Sequence, residues 1–347
     1  MGASEDRLAG VLVGTAIGDA LGLPLENLSA RRIARLFGRV GRYRFLGRTG
    51  FVSDDTEQTA FAAQALVEAQ GEPAAFAKLF ARRLKGWILR VPFGVGFATL
   101  RACLKLLLGV PAGKSGVRSA GNGAAMRAAI VGALYADDPA RRISFGDALA
   151  RVTHTDPRAI EGAQFVAALA AQAVQSPAEQ RPDLEAACGE VHDALLLAAI
   201  QSAQRLARAQ AATADAAREL GVTGYVVHTV AFAAFCAARH GIDARRALEE
   251  AVNAGGDADT IGAIVGALVG ARHGLSGLPK DLRDGLEDGP LGRSNLLLLA
   301  RALANGGTRA PGYSAARLLL RNLLLVPVIL GHVAFRVIGL VIPRRAS

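Results

Sequence analysis

Residues 257–270 read DADTIGAIVGALVG, an acidic cluster that leads directly into an apolar run. Roughly two hundred residues earlier, residues 53–56 read SDDT and also precede an apolar segment. Carboxylates with adjacent hydroxyls, and no Cys or His between them, form an all-oxygen ligand set that suits Mg²⁺ or Mn²⁺ better than Zn²⁺ or copper. The two clusters together therefore predict one metal site built from distant segments, which favours a metal-dependent hydrolase.

Each cluster has a second interpretation as a helix N-terminus. Asp, Ser and Thr are preferred N-caps, and Asp54-x-x-Glu57 fits a capping box ahead of the apolar run Thr59–Val67. Capping needs only one such residue per helix, whereas adjacent carboxylates repel each other. A pair of cations at about 3.5–4 Å is one arrangement that neutralises them. The pair of clusters therefore favours metal binding.

Length and composition limit the architectures that this chain can adopt. The chain has 347 residues, of which 51% are hydrophobic and only 5% aromatic. Ala, Leu and Gly dominate, which favours closely packed helices. Because no stretch before about residue 305 looks like a linker, we expect one large domain over residues 1–305 and a C-terminal extension over residues 306–347.

Apolar periodicity is helical along almost the whole chain, and strand-like alternation is scarce. Breaks containing Gly or Pro separate the helical segments. The predicted helices cover Phe61–Ala69, Ala75–Leu84, Ala98–Leu108, Ala124–Tyr135, Ala159–Val174, Leu184–Ala209, Val226–Arg239, Ala244–Val252 and Ile261–Gly270. The residues before Gly22 are interpreted as a Gly-broken segment. We expect an all-α fold, an orthogonal multi-helix bundle with a hydrophobic C-terminal helical tail.

The net charge of +10 suits nucleic acid, an anionic membrane or a phosphate-bearing ligand. The arginines are scattered and no aromatic residues interleave with them, so nucleic acid is not expected as a partner. Cys103, Cys188 and Cys236 lack CxxC spacing and are odd in number, which argues against a disulfide framework and fits a reducing cytoplasm. The charged residues 5–7 do not fit a signal peptide.

Three short, Gly-rich or polar segments lie at the ends of predicted helices: residues 14–22 followed by Glu26, residues 119–127, and residues 153–157. The second leads into a helix predicted from Ala124. It would therefore offer free backbone N–H groups and the positive end of a helix dipole, which suit a phosphate or diphosphate. A plain Asn-Gly turn is the alternative interpretation.

These segments resemble the ADP-ribosylglycohydrolases, a family that includes the dinitrogenase-reductase-activating and ADP-ribosylarginine hydrolases. The resemblance runs from about Leu8 to Ala304. It is carried by five motifs in the family's order: GDALG at 18–22, SDDT at 53–56, GNGAAMR at 121–127, Thr153-His154, and GGDADT at 255–260. Any one of these motifs would be weak alone, whereas five in order are specific.

The resemblance implies an all-α fold in which two Mg²⁺ or Mn²⁺ ions hold the ribose hydroxyls of ADP-ribose while the bond at its anomeric carbon is hydrolysed. The implied metal ligands are Ser53, Asp54, Asp55, Asp257, Asp259 and Thr260. Gly121, Asn122, Gly123 and Met126 match the diphosphate loop, and His154 matches a residue near the phosphates or ribose. The substrate would be an ADP-ribosylated protein, modified on arginine or serine, or a small ADP-ribosyl compound. A catalytically inactive member that binds such ligands, or is structural, is the alternative.

Glu26 and Asp55 are the candidate catalytic carboxylates, because a positioned acid that activates water or moves a proton typically contributes about 10²–10⁴-fold in rate. Some relatives place a gating glutamate where Glu26 stands; a solvated loop acid is the alternative. His154 beside Asp156 has a loop-ordering role as its alternative. Residues 87–94, WILRVPFG, contain no Asp or Glu, whereas some arginine-specific relatives carry an acid there. The leaving group therefore stays open.

The C-terminal tail after Asn305 does not resemble the family's sequence pattern. Residues 322–342 read NLLLVPVILGHVAFRVIGLVI, about the length that spans a bilayer, but Pro327, His332 and Arg336 interrupt it and arginines flank it. Three interpretations are open: an interfacial or re-entrant membrane helix, a helix docked on the domain or on a second subunit, and a true span. We favour peripheral membrane association of a cytoplasmic protein through residues 317–345.

Overall fold

The computed structural model describes residues 3–341, with side chains described to residue 335. Within that part the chain forms seventeen α-helices, three 3₁₀ helices and one pair of two-residue strands. The α-helices are α1 Glu5–Gly22, α2 Ala30–Phe37, α3 Asp54–Ala69, α4 Pro73–Ile88, α5 Phe97–Leu107, α6 Ala112–Ser115, α7 Ala129–Leu134, α8 Pro139–Arg151, α9 Pro157–Gln175, α10 Ala194–Arg208, α11 Thr213–Leu220, α12 Val226–His240, α13 Ala244–Asn253, α14 Ala258–His273, α15 Lys280–Asp284, α16 Arg293–Ala304 and α17 Ala315–Val341. The 3₁₀ helices cover Leu23–Leu25, Asn122–Arg127 and Ala186–Cys188; the strands are β1 Leu28–Ser29 and β2 Gly255–Gly256. The predicted all-α multi-helix fold is confirmed.

Helices α1 and α14 lie at the centre of the core and pack backbone to backbone. Glycines make this possible: a Cβ added at Gly14 would collide with the carbonyl oxygen of Gly266, and one at Gly18 with that of Gly262. The contacts run in opposite directions along the two helices, so the end of α1 lies against the start of α14. This arrangement brings the residues that follow α1 to the acidic cluster that opens α14.

The short strands hold the same two segments together. β1 and β2 pair antiparallel, with Leu28 opposite Gly256 and Ser29 opposite Gly255. The backbone N–H of Asn27 also donates to the carbonyl oxygen of Gly256 at 2.7 Å. Both glycines of β2 have positive φ, 79° and 70°, a region that residues with a Cβ rarely adopt. The Gly-Gly pair before Asp257 therefore permits the turn that places Glu26 beside the cluster.

Several predicted boundaries are corrected by the structure. The interpretation of the first segment as Gly-broken is wrong, because the glycines of α1 face α14 and leave the helix continuous through Gly22. Helix α3 begins at Asp54, seven residues before the predicted start. The acidic cluster is therefore the first turn of the helix itself.

Two predicted helices are interrupted. The predicted Leu184–Ala209 helix is wrong as a single element, because a 3₁₀ turn ends at Cys188 and α10 starts only at Ala194, where Asp193 accepts the backbone N–H groups of Leu195 and Leu196. The predicted Ala124–Tyr135 helix consists of the 3₁₀ helix Asn122–Arg127 followed by α7. A local cap in one case and a tighter turn in the other break a continuous apolar pattern.

The tail forms one long helix, α17, docked along one face. Leu318, Arg321, Asn322 and Leu325 are buried against the rest of the chain. In the described part, two segments are long and apolar enough to cross a membrane: Glu5–Leu25, fully buried at the core, and Ala315–Phe335, of which 22% is buried. Because a core helix passes the same test, length and composition do not support membrane contact. Cytoplasmic location and the domain boundary at residue 305 stay predictions, and residues 342–347 of the predicted tail lie outside the described residues.

Candidate metal and substrate site

The two acidic clusters meet in the folded chain. The hydroxyl of Thr260, in the first turn of α14, donates to Oδ2 of Asp55, in the first turn of α3, at 3.2 Å. Ser53 lies immediately before α3, and its hydroxyl contacts the same carboxylate oxygen at 3.5 Å. Segments about two hundred residues apart in sequence thus form one polar cluster, as the two similar motifs predict.

Asp55 has the environment expected of a cation ligand. Its side chain is only 1% exposed, and its Oδ1 is buried without a hydrogen-bond partner among the described residues. Burial, together with the negative charges of Asp54 and Asp19, raises the pKa of Asp55 well above its usual value. A buried carboxylate oxygen without a donor is costly unless a cation offsets it. The structure therefore fits a metal at this position.

Glu26 joins the second cluster. Carboxylate oxygens of Glu26, Asp257 and Asp259 all lie within 4.8 Å of one another. Burial raises the pKa of Asp259 well above its usual value, and the charge of Glu26 raises it further. Glu26 is half-buried and lies among the metal-ligand candidates, rather than on the solvated loop of the alternative interpretation.

The chemistry of the whole set fits a divalent cation. The carboxyl groups whose pKa burial raises are Asp19, Asp54, Asp55, Asp257 and Asp259. They concentrate negative charge in a region from which water is largely excluded, and their donor atoms are all oxygen. Mg²⁺ and Mn²⁺ are the ions that this donor set prefers.

Asp19 orders the first cluster, a role that the sequence analysis missed. It is fully buried near the end of α1, and its carboxylate accepts the backbone N–H groups of Ser53 at 2.9 Å and of Thr56 at 3.2 Å. Burial raises the pKa of Asp19 to about 6, and the bonds from Thr56 and Ser53 oppose this rise. The sequence feature that could have indicated this role is the position of Asp19 directly after Gly18 in the GDALG motif.

The capping-box interpretation of the first cluster is wrong. Ser53 makes no side-chain cap bond to α3. The carboxylate of Glu57, which the predicted Asp54-x-x-Glu57 capping box would direct back to the backbone N–H of Asp54, instead accepts from Trp87 Nε1 at 2.5 Å and from Arg321. Asp19, from another helix, accepts the N–H groups of Ser53 and Thr56 at the start of α3, so the side chains of the cluster do not have to cap this helix end.

A chain of buried hydrogen bonds links the first cluster to His154. Gln58 Nε2 donates to Asp54 Oδ2 at 2.8 Å, and Arg127 donates to Gln58 Oε1 at 2.5 Å. Arg127 also donates to Thr153 Oγ1 at 2.5 Å, which lies 2.8 Å from His154 Nδ1. Arg127 and Thr153 belong to two of the five family motifs, but the sequence assigned no role to them or to Gln58.

Burial favours the neutral form of His154. Burial and the charge of Arg127 lower the pKa of His154 to about 3. Thr153 Oγ1 accepts from Arg127 and lies 2.8 Å from His154 Nδ1. If the Thr153 hydroxyl donates to Nδ1, the ring proton lies on Nε2. A Cβ at Gly123 would lie only 3.0 Å from the ring, so the small residues of this loop let the imidazole lie close to the loop backbone.

The backbone of the predicted diphosphate loop is partly engaged. The loop is expected to offer free backbone N–H groups, but that of Asn122 donates to the carbonyl oxygen of Gly224 at 3.1 Å. The side-chain amide of Asn122 donates to Thr229 Oγ1 at 2.9 Å and to Asp257. Asn122 thus orients a metal-ligand candidate, and this contact links the loop to the second cluster.

One cavity of about 310 Å³ joins these groups. Its lining includes Glu26, Asp54, Asp257, Asp259 and Thr260 from the acidic segments, and Gly121, Asn122, Gly123, Met126 and His154 from the predicted substrate-binding residues. Ser53 and Asp55 do not line it. Gly94, with φ of 80°, lies against Asp54, where an added Cβ would be 2.8 Å from Oδ1. A larger cavity of about 840 Å³ adjoins it and shares Gly224 and Asp257, but it contacts only one of the acidic ligands.

Comparison with known proteins assigns this helical fold, with its buried carboxylates and small-residue loop in one cavity, to the glycosyl-bond hydrolases. The family model described as ADP-ribosylglycohydrolase matches residues 2–311. The chain belongs to this family, and the resemblance inferred from the five motifs is confirmed. The match ends before α17 begins at Ala315.

Named relatives and a solved structure agree with this assignment. The ADP-ribosylarginine hydrolase Tri1 of Serratia proteamaculans is 26% identical, covering 82% of this chain and 76% of the relative. The ADP-ribosyl-[dinitrogen reductase] glycohydrolase of Rhodospirillum rubrum is 26% identical, covering 79% and 88%. A solved structure titled ADP-ribosylglycohydrolase-related protein complex is 29% identical with a TM-score of 0.63, covering 87% of this chain and 98% of the other.

Proposed function

We propose that this protein is a Mg²⁺- or Mn²⁺-dependent hydrolase that cleaves the bond at the anomeric carbon of ADP-ribose and so releases it from a modified protein or a small ADP-ribosyl compound. The observation that carries the proposal is the direct contact between the acidic clusters, Thr260 to Asp55 at 3.2 Å, in which Thr260 also lines the cavity with His154. Family membership supports the reaction class.

Two cations would be held by the predicted ligands Ser53, Asp54, Asp55, Asp257, Asp259 and Thr260. Glu26 lies within 4.8 Å of Asp257 and Asp259 and would therefore stand beside the cations that these ligands hold. When bound, the cations would supply charge that orients the ribose hydroxyls and makes them more acidic. The partnerless Oδ1 of Asp55 is the feature of this chain that most favours their presence.

The chain's own donors would hold the substrate. The Nε2–H of His154 would donate to a phosphate or ribose oxygen, and its low pKa keeps the imidazole neutral so that this donor does not depend on pH near 7. Gly121 and Gly123 leave room for a diphosphate close to the backbone. Met126 contributes an apolar wall, and Asn122 keeps Asp257 in one orientation.

Glu26 is the better candidate for proton transfer. Of the two predicted catalytic carboxylates, Glu26 lines the cavity, whereas Asp55 is buried and does not line it. A general base must reach the water that attacks the anomeric carbon. Glu26 would accept that proton, and Asp55 would serve as a ligand.

ADP-ribosyl-arginine on a protein is the first linkage to test. The Serratia relative is named an ADP-ribosylarginine hydrolase, and the Rhodospirillum relative acts on ADP-ribosyl-dinitrogen reductase. The segment that approaches Asp54, residues 87–94, carries no acid to pair with a guanidinium. A serine linkage therefore belongs in the same experiment.

The test is release of free ADP-ribose from an ADP-ribosyl-arginine protein and from an ADP-ribosyl-serine peptide, each with Mg²⁺ and with EDTA. Asp54→Ala and Asp259→Ala should each lower metal-dependent release at least about 100-fold, because each removes a charged group from the site. Asp147→Ala, at an exposed ion pair on α8, is the matched control and should match the parent.

The outcomes separate the alternatives. Metal-dependent release from one substrate would support the hydrolase and identify its linkage. Binding of ADP-ribose without release from either substrate would favour the inactive binding member. Parental rates for both Asp54→Ala and Asp259→Ala would show that the two-cluster site is wrong.

A further inference from the structure

The C-terminal helix α17 starts beyond the family match, yet it contacts three segments that build the candidate site. We propose that α17 is a positioning element of this site and that Arg321 and Asn322 are its principal positioning residues. The inference rests on the proposed function, because it assumes that the acidic clusters bind metal. It assigns a functional role to a segment for which sequence patterns suggested membrane association.

The first contact fixes the start of α3. Arg321 forms a buried ion pair with Glu57, and the two side chains are 8% and 2% exposed. Glu57 follows Asp54 and Asp55 in the first turn of the same helix, and its second oxygen accepts from Trp87 at 2.5 Å. A buried carboxylate without a cationic partner is strongly unfavourable. Arg321 therefore stabilises the turn that presents the first acidic cluster.

The second contact fixes the segment opposite that cluster. Asn322 is 1% exposed, and its side-chain amide donates to the carbonyl oxygen of Arg90 at 2.9 Å. The chain continues from Arg90 to Gly94, which lies against Asp54 and lines the cavity. The Oδ1 of Asn322 accepts from Arg321, also at 2.9 Å, so the two residues act as one unit.

The third contact lies beside Glu26. A ring nitrogen of His332 is 3.0 Å from the carbonyl oxygen of Pro24, in the 3₁₀ turn that immediately precedes Glu26. The imidazole also lies against Phe37 and Phe45, with ring centroids 6.1 Å and 5.3 Å away. Helix α17 thereby reaches the turn that carries the candidate proton acceptor.

The three contacts share one property. The cavity lining contains Glu26, Asp54 and Gly94 but, among the described residues, none from α17. Helix α17 therefore acts through the segments it supports and does not touch substrate. Its contacts support the segment that carries Asp54 and the segment that carries Glu26, so a displaced α17 would alter the separation of these two carboxylates.

The experiment compares Arg321→Met, Arg321→Lys and Asn322→Leu with Leu324→Ala, a matched control at a side chain on α17 that is 63% exposed. Mn²⁺ affinity is measured by electron paramagnetic resonance, kcat and KM by ADP-ribose release, and the folded fraction by circular dichroism. Arg321→Met should weaken Mn²⁺ binding about 10–100-fold per folded molecule, the range seen when groups supporting metal ligands are removed. Asn322→Leu should lower kcat by up to about 100-fold, as a displacement of about 1 Å can.

Rescue distinguishes positioning from general stability. Arg321→Lys should recover part of the Mn²⁺ affinity, and Leu324→Ala should retain all of it. If Arg321→Met fails to fold, the double variant Glu57→Gln with Arg321→Met removes both buried charges and takes its place. Lower melting temperatures with unchanged Mn²⁺ affinity and unchanged kcat/KM would overturn the proposal, because α17 would then be only structural.

The Mn²⁺ measurement also separates this inference from the proposed function. A parent protein that binds Mn²⁺ but releases no ADP-ribose would refute the hydrolase. The affinity series would still decide the role of α17 in that case. Equal Mn²⁺ affinities for the parent, Arg321→Met and Asn322→Leu would again overturn the positioning role.

Discussion

Replacing Asp55 with Asn tests the metal site through stability alone, without a substrate. Asn retains an oxygen that can accept a hydrogen bond from the Thr260 hydroxyl, but it lacks the negative charge that attracts a cation. Burial raises the pKa of Asp55 well above its usual value, which means that the charged carboxylate destabilises the metal-free fold. We expect the metal-free Asp55→Asn protein to be at least as stable as the parent at pH 7.5.

The response to metal should change in the opposite direction. At a free Mn²⁺ concentration 100 times the parental dissociation constant, binding stabilises the parent by about 2.7 kcal/mol. Unfolding entropy near 2.1 cal/mol/K per residue gives about 0.7 kcal/mol/K for this chain, so the parental melting temperature should rise by about 4 °C. If the lost ligand weakens binding about 100-fold, the same Mn²⁺ stabilises Asp55→Asn by only about 0.4 kcal/mol, a shift below about 1 °C.

The assay is thermal unfolding followed by circular dichroism, with EDTA and with Mn²⁺. Asp147→Asn, at an exposed carboxylate, is the control and should keep the parental shift. A parental Mn²⁺ shift in Asp55→Asn would refute Asp55 as a ligand. A metal-free loss of more than about 2 kcal/mol would instead identify the carboxylate as a structural partner of Thr260.

Three further predictions address the core, the loop and the histidine. Gly14→Val should lower the free energy of unfolding by roughly 3 kcal/mol in urea denaturation, because an added side chain overpacks the α1–α14 contact; a loss below about 1 kcal/mol would contradict backbone contact there. Asn122→Ala should weaken Mn²⁺ binding about 10–100-fold in a calorimetric titration, since it removes the donor that orients Asp257, and unchanged affinity would count against this role. His154 has a pKa of about 3 in the fold, below its ordinary value, so its contribution to stability is complete above about pH 6.5 and is lost as the pH falls towards 3. Between pH 7 and pH 5 the parent should lose about 2 kcal/mol that His154→Gln does not lose, as measured by urea denaturation; parallel losses would show that His154 is not held neutral.

Much of the fold class could be predicted from local sequence. Apolar segments with a helical period and Gly or Pro breaks indicate helices wherever they occur, so α4, α5, α9, α12 and α13 lie close to their predicted positions. Continuous apolar runs predicted the helix boundaries less well than the Gly and Pro breaks did. The pattern did not reveal the 3₁₀ turns or the cap at Asp193, and glycines in α1 looked like breaks because their packing partners lie in α14.

The residue types in the motifs are enough to predict the kind of site. Clustered Asp, Ser and Thr specify oxygen ligands whatever the fold, and the five ordered motifs indicated the family. Which of these groups meet depends on how distant helices pack against each other. Glu26 lies with Asp257 and Asp259 because α1 and α14 pack antiparallel, and Glu57 pairs with Arg321 because a distant helix docks there. Such contacts depend on which helix faces pack together, and local periodicity records only that a face is buried, not what covers it.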